Sequence, residues 1–369
     1  LEALPRKLNI EVMPPTIYDI AKKAKVGIGT VSRVFNNHPS VSKETRNRVL
    51  HFANRMNYHP HPYARGLASK RTNSILAVIP YFTTFFFIEI LQAVQAILAE
   101  SNYDLILHGV THPEHVEGML RKNTVRGRVD GMLFLSLKMP KKFAHEYVNS
   151  HVPVVLVDTY HPDFDSFTVE NVKGASIATK HLISLGHRRI GILNANLEST
   201  PAQERLQGFK SALKEAQIPM EQCLIKHSTS VRLDGFTHED GYGLMKQFLA
   251  LGTKKPTAIF VTSDIQASGA LQAMEETGIR CPEDIALIGF DDIELARHIG
   301  LTTMRQPMSE MGTLAVQRLF ERMKNEKLEP IFRTFLPTLV VRRTSELISS
   351  REVNQQGTRP IRTVVQTTN

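Results

Sequence analysis

Arg33 carries the strongest chemical signal in the sequence: its guanidinium lies within about one helical turn of Gly29, Ser32 and Asn36. A planar fork of donors beside a hydroxyl and an amide suits the base edges of a DNA major groove. The flanking residues say what holds that fork. Ile17, Ile20, Ala21 and Ala24 recur at helical spacing, Val26 closes a turn, and Val31, Val34 and Phe35 resume the period. This is a helix-turn-helix pattern whose second helix turns Ile28, Gly29, Ser32, Arg33 and Asn36 outward. Thr16 with Asp19 three residues on predicts a capping box at the start of the first helix.

Three other constellations carry less. His108, His112 and His115 straddle Pro113 in an expected loop, with no carboxylate or thiol arrangement to complete a metal site. Asp291 and Asp292 resemble a catalytic carboxylate pair, but adjacent side chains diverge and no Ser/His or Cys/His set accompanies them. The sequence therefore predicts no enzyme, metal or cofactor. Gly27-Ile28-Gly29-Thr30 follows a helix rather than a strand and lacks the third glycine of a dinucleotide fingerprint.

Charge agrees with the reading of Arg33. Residues 14–72 hold eleven Lys or Arg against Asp19 and Glu44, a net +9 equal to the formal charge of the whole 369-residue chain. A basic segment on a neutral body is the footprint of a dedicated nucleic-acid module. With 42% hydrophobic and 22% charged residues the chain is ordinary for a globular protein, and its length allows two or three domains. The two cysteines, Cys223 and Cys281, are too far apart in sequence for a metal motif and fit a reducing compartment. No run reaches the roughly 20 apolar residues of a membrane span, and residues 1–12 have no secretory pattern. The expected location is cytoplasmic, with a functional start near Met13 and residues 1–13 a disordered extension.

The helix-turn-helix domain is expected over 14–60. Ser42 caps a third helix in which Val49, Phe52, Ala53 and Met56 recur on one face, and Pro60 and Pro62 stop it. Residues 61–73 are short and basic, too short for a helix that persists alone. From Ser74 the rhythm alternates strand and helix. Apolar runs at 75–79, 105–108, 131–135, 154–157, 190–193, 258–261 and 285–288 are separated by amphipathic stretches at 88–100, 175–185, 201–216, 265–277 and 310–324. That alternation predicts an α/β core of two doubly wound, parallel-sheet lobes with a ligand between them. The core is placed at 74–345, with one lobe at about 74–170 and 307–335 and the other at about 171–306 and 336–345. Residues 346–369 are expected to form a disordered tail.

Ordered motifs along almost the whole chain carry a family resemblance. They are Thr16-Ile17-Tyr18-Asp19-Ile20-Ala21, Thr30-Val31-Ser32-Arg33-Val34-Phe35-Asn36, Asn57-Tyr58-His59-Pro60, Val129-Asp130-Gly131, Leu185-Gly186-His187-Arg188-Arg189-Ile190, Gly289-Phe290-Asp291-Asp292 and Leu301 to Pro307. On these the chain is similar to the lactose-repressor and galactose-repressor (LacI/GalR) family of transcription regulators. The resemblance implies a homodimer or tetramer on double-stranded operator DNA, with a core like that of periplasmic binding proteins. It implies DNA contacts from Thr16, Tyr18, Ile28, Gly29, Thr30, Ser32, Arg33, Asn36, Ser42 and Tyr58, and a minor-groove wedge from Leu67. It further implies a small effector, a sugar, bound through Phe86, Phe87, Asp158, Arg205, Ser263, Asp264 and Asp291.

The chain departs from the family pattern at Gly27, where a capping serine is common, and at Ser263, where an asparagine is frequent. Gly29 has no side chain to read a base, so direct readout is expected to be short. Two alternatives stay open on these residues alone: the aspartates cap turns, and the Phe86–Phe87 pair is core. Two readings of function also stand beside an effector-controlled repressor: a carbohydrate receptor without a DNA role, and a regulator signalled by a purine or a partner protein.

Overall fold

The computed structural model describes residues 15–58, 72–80, 84–110, 114–123, 128–140, 144, 152–219, 224–325 and 327–346. These fall into two compact units, one made of residues up to Ser74 with 128–130 and the other of the rest.

The first unit opens with three helices, α1 (Ile17–Ala24), α2 (Ile28–Phe35) and α3 (Lys43–Arg55). Ile20, Ala24, Val31, Val34 and Val49 are sealed between them, the residues whose spacing predicts the helices. The Asp19 carboxylate accepts from the Thr16 amide at 2.8 Å and hydroxyl at 2.7 Å, completing the capping box, and these bonds hold Asp19 below the usual carboxylate range. Lys25 takes a left-handed conformation to end α1, and the extended Gly27 opens α2 with its backbone alone. Ser42 caps α3 by accepting from the Thr45 amide. Two arginines are spent on this scaffold. Arg48 donates to the Ala24 carbonyl at 3.0 Å at the end of α1, and Arg46 to the carbonyls of Val34 at 3.1 Å and His38 at 2.9 Å, tying α3 to the last turn of α2 and the loop after it.

The second unit contains two six-stranded sheets. The first uses β1 (Ser74–Ile79), β2 (Asp104–Gly109), β3 (Gly131–Leu135), β4 (Val154–Val157), β5 (Asp165–Val169) and β11 (Phe332–Phe335), in the order β11-β5-β4-β3-β1-β2. The second uses β6 (Ile190–Asn194), β7 (Leu224–His227), β8 (Ala258–Val261), β9 (Ala286–Asp291), β10 (Thr302–Arg305) and β12 (Thr338–Val340), in the order β12-β10-β9-β8-β6-β7. Pairing is parallel from β6 to β10, and β12 runs antiparallel to β10. Helices α4 (Phe85–Ser101), α5 (Glu114–Asn123) and α11 (Met308–Lys324) belong with the first sheet. Helix α6 (Asn171–Ser184) leads from β5 into β6, and α7 (Thr200–Glu215), α8 (His238–Leu249), α9 (Asp264–Glu276) and α10 (Glu294–His298) come between strands of the second. The sheet order makes the chain pass between lobes three times, after β5, after β10 and between β11 and β12. This is the expected pair of doubly wound lobes.

His108 lies on β2, where the apolar run at 105–108 predicts a strand, and His115 lies on α5 rather than in the expected loop; residues 111–113, with His112, are outside the described set. Two of the strands missing from the sequence reading, β5 and β10, carry buried polar residues. In β5, Asp165 is sealed because Arg318 and Arg322 of α11 and the Ile331 amide all donate to its carboxylate. In β10, Thr302 donates to the Arg342 carbonyl and Thr303 to Asp264. A polar strand can be buried when such partners exist.

Candidate functional site: a DNA-reading helix and an interlobe cleft

On the first unit, Tyr18 is 67% and Ile28 41% exposed, so both side chains are open to a partner surface. Gly29, Arg33, Asn36, Ser42 and Thr16 are also exposed, while Thr30, Ser32 and Tyr58 are half-buried. Tyr58 packs its ring 5.7 Å from that of Phe35, so it braces the helices as well as edging the surface. The Arg33 Nε donates to the Gly29 carbonyl at 3.1 Å, which leaves NH1 and NH2 without a hydrogen bond among the described residues. Leu67 lies outside the described residues.

In the second unit, the carboxyl ends of the strands bring together groups from both lobes. Asp158 follows β4 in a left-handed conformation and accepts from the Ser136 hydroxyl at the end of β3, at 2.6 Å. From the other lobe comes Arg205 of α7, only 5% exposed. Its Nε donates to Asn171 at 2.9 Å, its NH1 to the Thr262 carbonyl at 2.5 Å, and NH1 lies 3.6 Å from the Asp291 carboxylate. The guanidinium stacks 3.8 Å above the Phe290 ring centroid and 5.8 Å from that of Phe236. Asp291 ends β9 at φ +123 and accepts from the Gln306 amide at 2.6 Å. The Gln306 oxygen and the Thr84 hydroxyl at the start of α4 are buried without a partner among the described residues.

Hydrogen-bond supply separates the cleft carboxylates from the structural ones. Asp165 receives three donors, Asp264 is held by Thr303 and the Ile293 amide, and Asp292 by Arg305 and Arg342, both at 2.6 Å. Asp158 and Asp291 each receive one side-chain donor and share the nearby Arg205 charge. A carboxylate offers about four acceptor sites, so these two retain capacity for a ligand. Burial pushes Asp158 up to about 6, against the Ser136 bond and the Arg205 charge. Burial also pushes Asp291 up to about 7, opposed by Arg205 and Gln306.

The sign of the pH dependence follows. Between the ordinary carboxylate value and 7 the folded chain holds a proton on Asp291 that the unfolded chain releases, so stability from this group grows as pH falls through 7. Burial and the Asp291 charge push Asp264 the same way, while His181 and His187, lowered by burial, act oppositely. The Asp291→Asn variant isolates the effect. Between pH 8 and 5.5 the melting temperature of the parent should rise by about 4–8 °C relative to the variant, for roughly 2 kcal/mol of linkage. A constant difference would show that Asp291 titrates in the ordinary range.

The structure thus gathers Asp158, Arg205 and Asp291, and treats the other effector candidates differently. Ser263 caps α9 through the Gln266 amide, and Asp264 ties α9 to β10 and to the segment after β9. A Cβ on Gly289 would lie 2.2 Å from the Asp264 carboxylate, so glycine permits this close approach. Phe87 is 6% exposed in the core of the first lobe, with Phe86 packed edge-on against it at 5.3 Å. Sequence reasoning missed Thr84, Ser136, Asn171, Phe236 and Gln306. Phe236 is presented by three successive left-handed residues, Leu233, Asp234 and Gly235, and only the Asp-Gly turn dipeptide hints at it.

Comparison with known proteins agrees with both halves. Residues 16–61 match the family of bacterial regulatory proteins, lacI family, and residues 179–345 match the periplasmic binding protein-like domain. The chain is 35% identical over 333 residues to the ribose operon repressor of Haemophilus influenzae, covering 89% of this chain and 97% of that one. It resembles the structure of the lac repressor dimer bound to operator and the anti-inducer ONPF, with a TM-score of 0.75 and 26% identity over 90% of this chain and 99% of that one. It also resembles the complex of the transcriptional regulator CelR with cellobiose, with a TM-score of 0.63 and 28% identity over 89% of this chain and 99% of that one. The helix-turn-helix, the paired parallel sheets and these relatives place the molecule among transcription regulators rather than enzymes, and the chain belongs to the LacI family of bacterial regulatory proteins.

Proposed function

We propose that this regulator is a cytoplasmic repressor whose operator affinity is set by a sugar held between the lobes at Asp158, Arg205 and Asp291. The observation that carries the reading is the unspent capacity of the two carboxylates beside one guanidinium. Neutral vicinal hydroxyls donate to the former and accept from the latter, giving orientation-specific recognition. The cellobiose bound in the CelR complex and the ribose in the name of the Haemophilus repressor support this ligand class. Control follows from linkage: a sugar that prefers one arrangement of the lobes shifts the chain toward or away from the state that grips DNA.

On DNA, Arg33 reads a base, Ile28 meets a thymine methyl, and Thr16, Tyr18, Thr30, Ser32, Asn36, Ser42 and Tyr58 set the register on phosphates. Gly29 leaves its base pair unread, and Leu67 wedges the minor groove. The working form is a homodimer, to which the exposed Phe85 and Ile88 of α4 and Ile106 and Leu107 of β2 contribute an apolar surface. The lac repressor relative, solved as a dimer on operator, supports this assembly.

Fluorescence anisotropy on duplex DNA from upstream of the chain's own gene tests the reading, with ribose, cellobiose and other sugars added in turn. Salt-sensitive binding released or strengthened by one sugar is the expected result. Binding that no sugar alters at millimolar concentration would overturn the sugar assignment in favour of a purine or a partner protein.

A further inference from the structure

The entry of the chain into the core is closed by a clamp outside both the DNA-reading surface and the cleft. The Asp130 carboxylate, just before β3, accepts three donors from the two residues just before β1. Thr72 donates from its amide at 2.7 Å and its hydroxyl at 2.9 Å to one oxygen, and the Asn73 amide donates at 2.9 Å to the other. The Asp130 amide donates in turn to the Ser74 carbonyl at 2.9 Å, and the Ser74 hydroxyl to the Thr72 carbonyl at 3.2 Å. Asn73 is held left-handed at φ +51, a turn that asparagine tolerates better than most residues.

The sheet does not need these bonds. β1 and β3 are already joined in register from Ile75 with Gly131 to Val78 with Phe134, and their side chains are sealed in the core. The side-chain bonds of the clamp fall two and three residues before that ladder begins at Ile75, on the stretch that follows the helix-turn-helix in sequence and precedes β1.

We propose that Asp130 is a positioning residue for operator recognition, whose carboxylate holds the point of departure of the DNA-binding module in one orientation. Specific binding needs that orientation, because recognition helices must meet their base pairs at a set spacing. A departure point free to swivel adds an ordering cost to specific binding. Non-specific binding, which rests on phosphate charge, does not carry that cost. The inference is independent of which effector fills the cleft.

The sign of the effect separates this role from electrostatics. Removing a negative charge near a basic module should, through charge alone, strengthen binding to every DNA. The positioning role requires a loss, confined to specific DNA. The test uses the full chain, a duplex selected from random sequence by that chain, and a scrambled duplex of equal length. Asp130→Ala should lose about tenfold or more on the selected duplex and less than about twofold on the scrambled one, with an unchanged salt slope. Asp130→Asn, which keeps one acceptor oxygen, should fall between. Thr72→Val removes one hydroxyl and leaves both backbone donors, so it should lose a few-fold on the selected duplex only. If Asp130→Ala does not fold, Asp130→Asn and Thr72→Val decide the matter. Unchanged or tighter binding of the selected duplex by the folded variants, or equal losses on both duplexes, would overturn the assignment.

Discussion

Replacing Arg205 with alanine is expected to lower the melting temperature by roughly 6–12 °C, for a cost of about 3 kcal/mol, and to weaken binding of the proposed sugar by about 100-fold. The stability loss has three sources. The guanidinium satisfies Asn171 and the Thr262 carbonyl, covers the face of Phe290, and supplies the positive charge next to Asp291 and Asp158. Removing one partner of a buried charge pair leaves the other uncompensated. Part of that cost is relieved because Asp291, already raised to about 7, can take up a proton. Arg205→Lys divides the two effects. It keeps a charge near Phe290, but a single ammonium cannot reproduce the planar fork that meets Asn171, Thr262 and a ligand together. The lysine variant should recover part of the melting temperature and little of the sugar affinity. Calorimetric titration beside thermal melts would read both. Undiminished sugar affinity in a folded Arg205→Ala variant would remove the cleft assignment.

That experiment bears on residues the sequence makes legible to different degrees. β3, β4 and β8 are apolar from end to end, and the sequence bounds them to the residue. β5, β10 and β11 are not legible in that way, because Asp165, Thr302, Thr303 and Arg333 read as loop until their distant partners are known. α8 hides for a related reason. It is rich in polar residues and contains Gly241, where a Cβ would meet the Gln266 carbonyl at 2.0 Å, so glycine there serves helix packing. The cleft shows the same division. Asp291 lies in a motif of the resemblance and Asp158 and Arg205 are implied by it, whereas Ser136, and Gln306 although it too lies in such a motif, become meaningful only once the fold sets them on those carboxylates. Local periodicity reports local burial, and it cannot report a partner some 150 residues away, as between Asp165 and Arg318.

The basic residues of the DNA-binding unit divide similarly, and Arg33→Ala tests the division. It should cost about 10–100-fold on a selected duplex, the 1–3 kcal/mol of a bidentate base contact, and much less on a scrambled one. Among the described residues Arg33 uses only its Nε, on the Gly29 carbonyl, so its loss should leave folding intact. Gly29 keeps the adjacent surface low: a Cβ there would lie 3.9 Å from Arg33 NH2, an ordinary contact, so Gly29→Ala should also fold normally. Arg46 and Arg48 belong to the other class, since their guanidinium groups are engaged by helix-end carbonyls. Replacing either should lower the melting temperature, with DNA binding falling only through instability. Salt dependence decides Arg33 itself. If it reads a base, the slope of log affinity against log salt is unchanged in Arg33→Ala. If it only neutralises a phosphate, the slope falls by about 1 and both duplexes lose affinity equally.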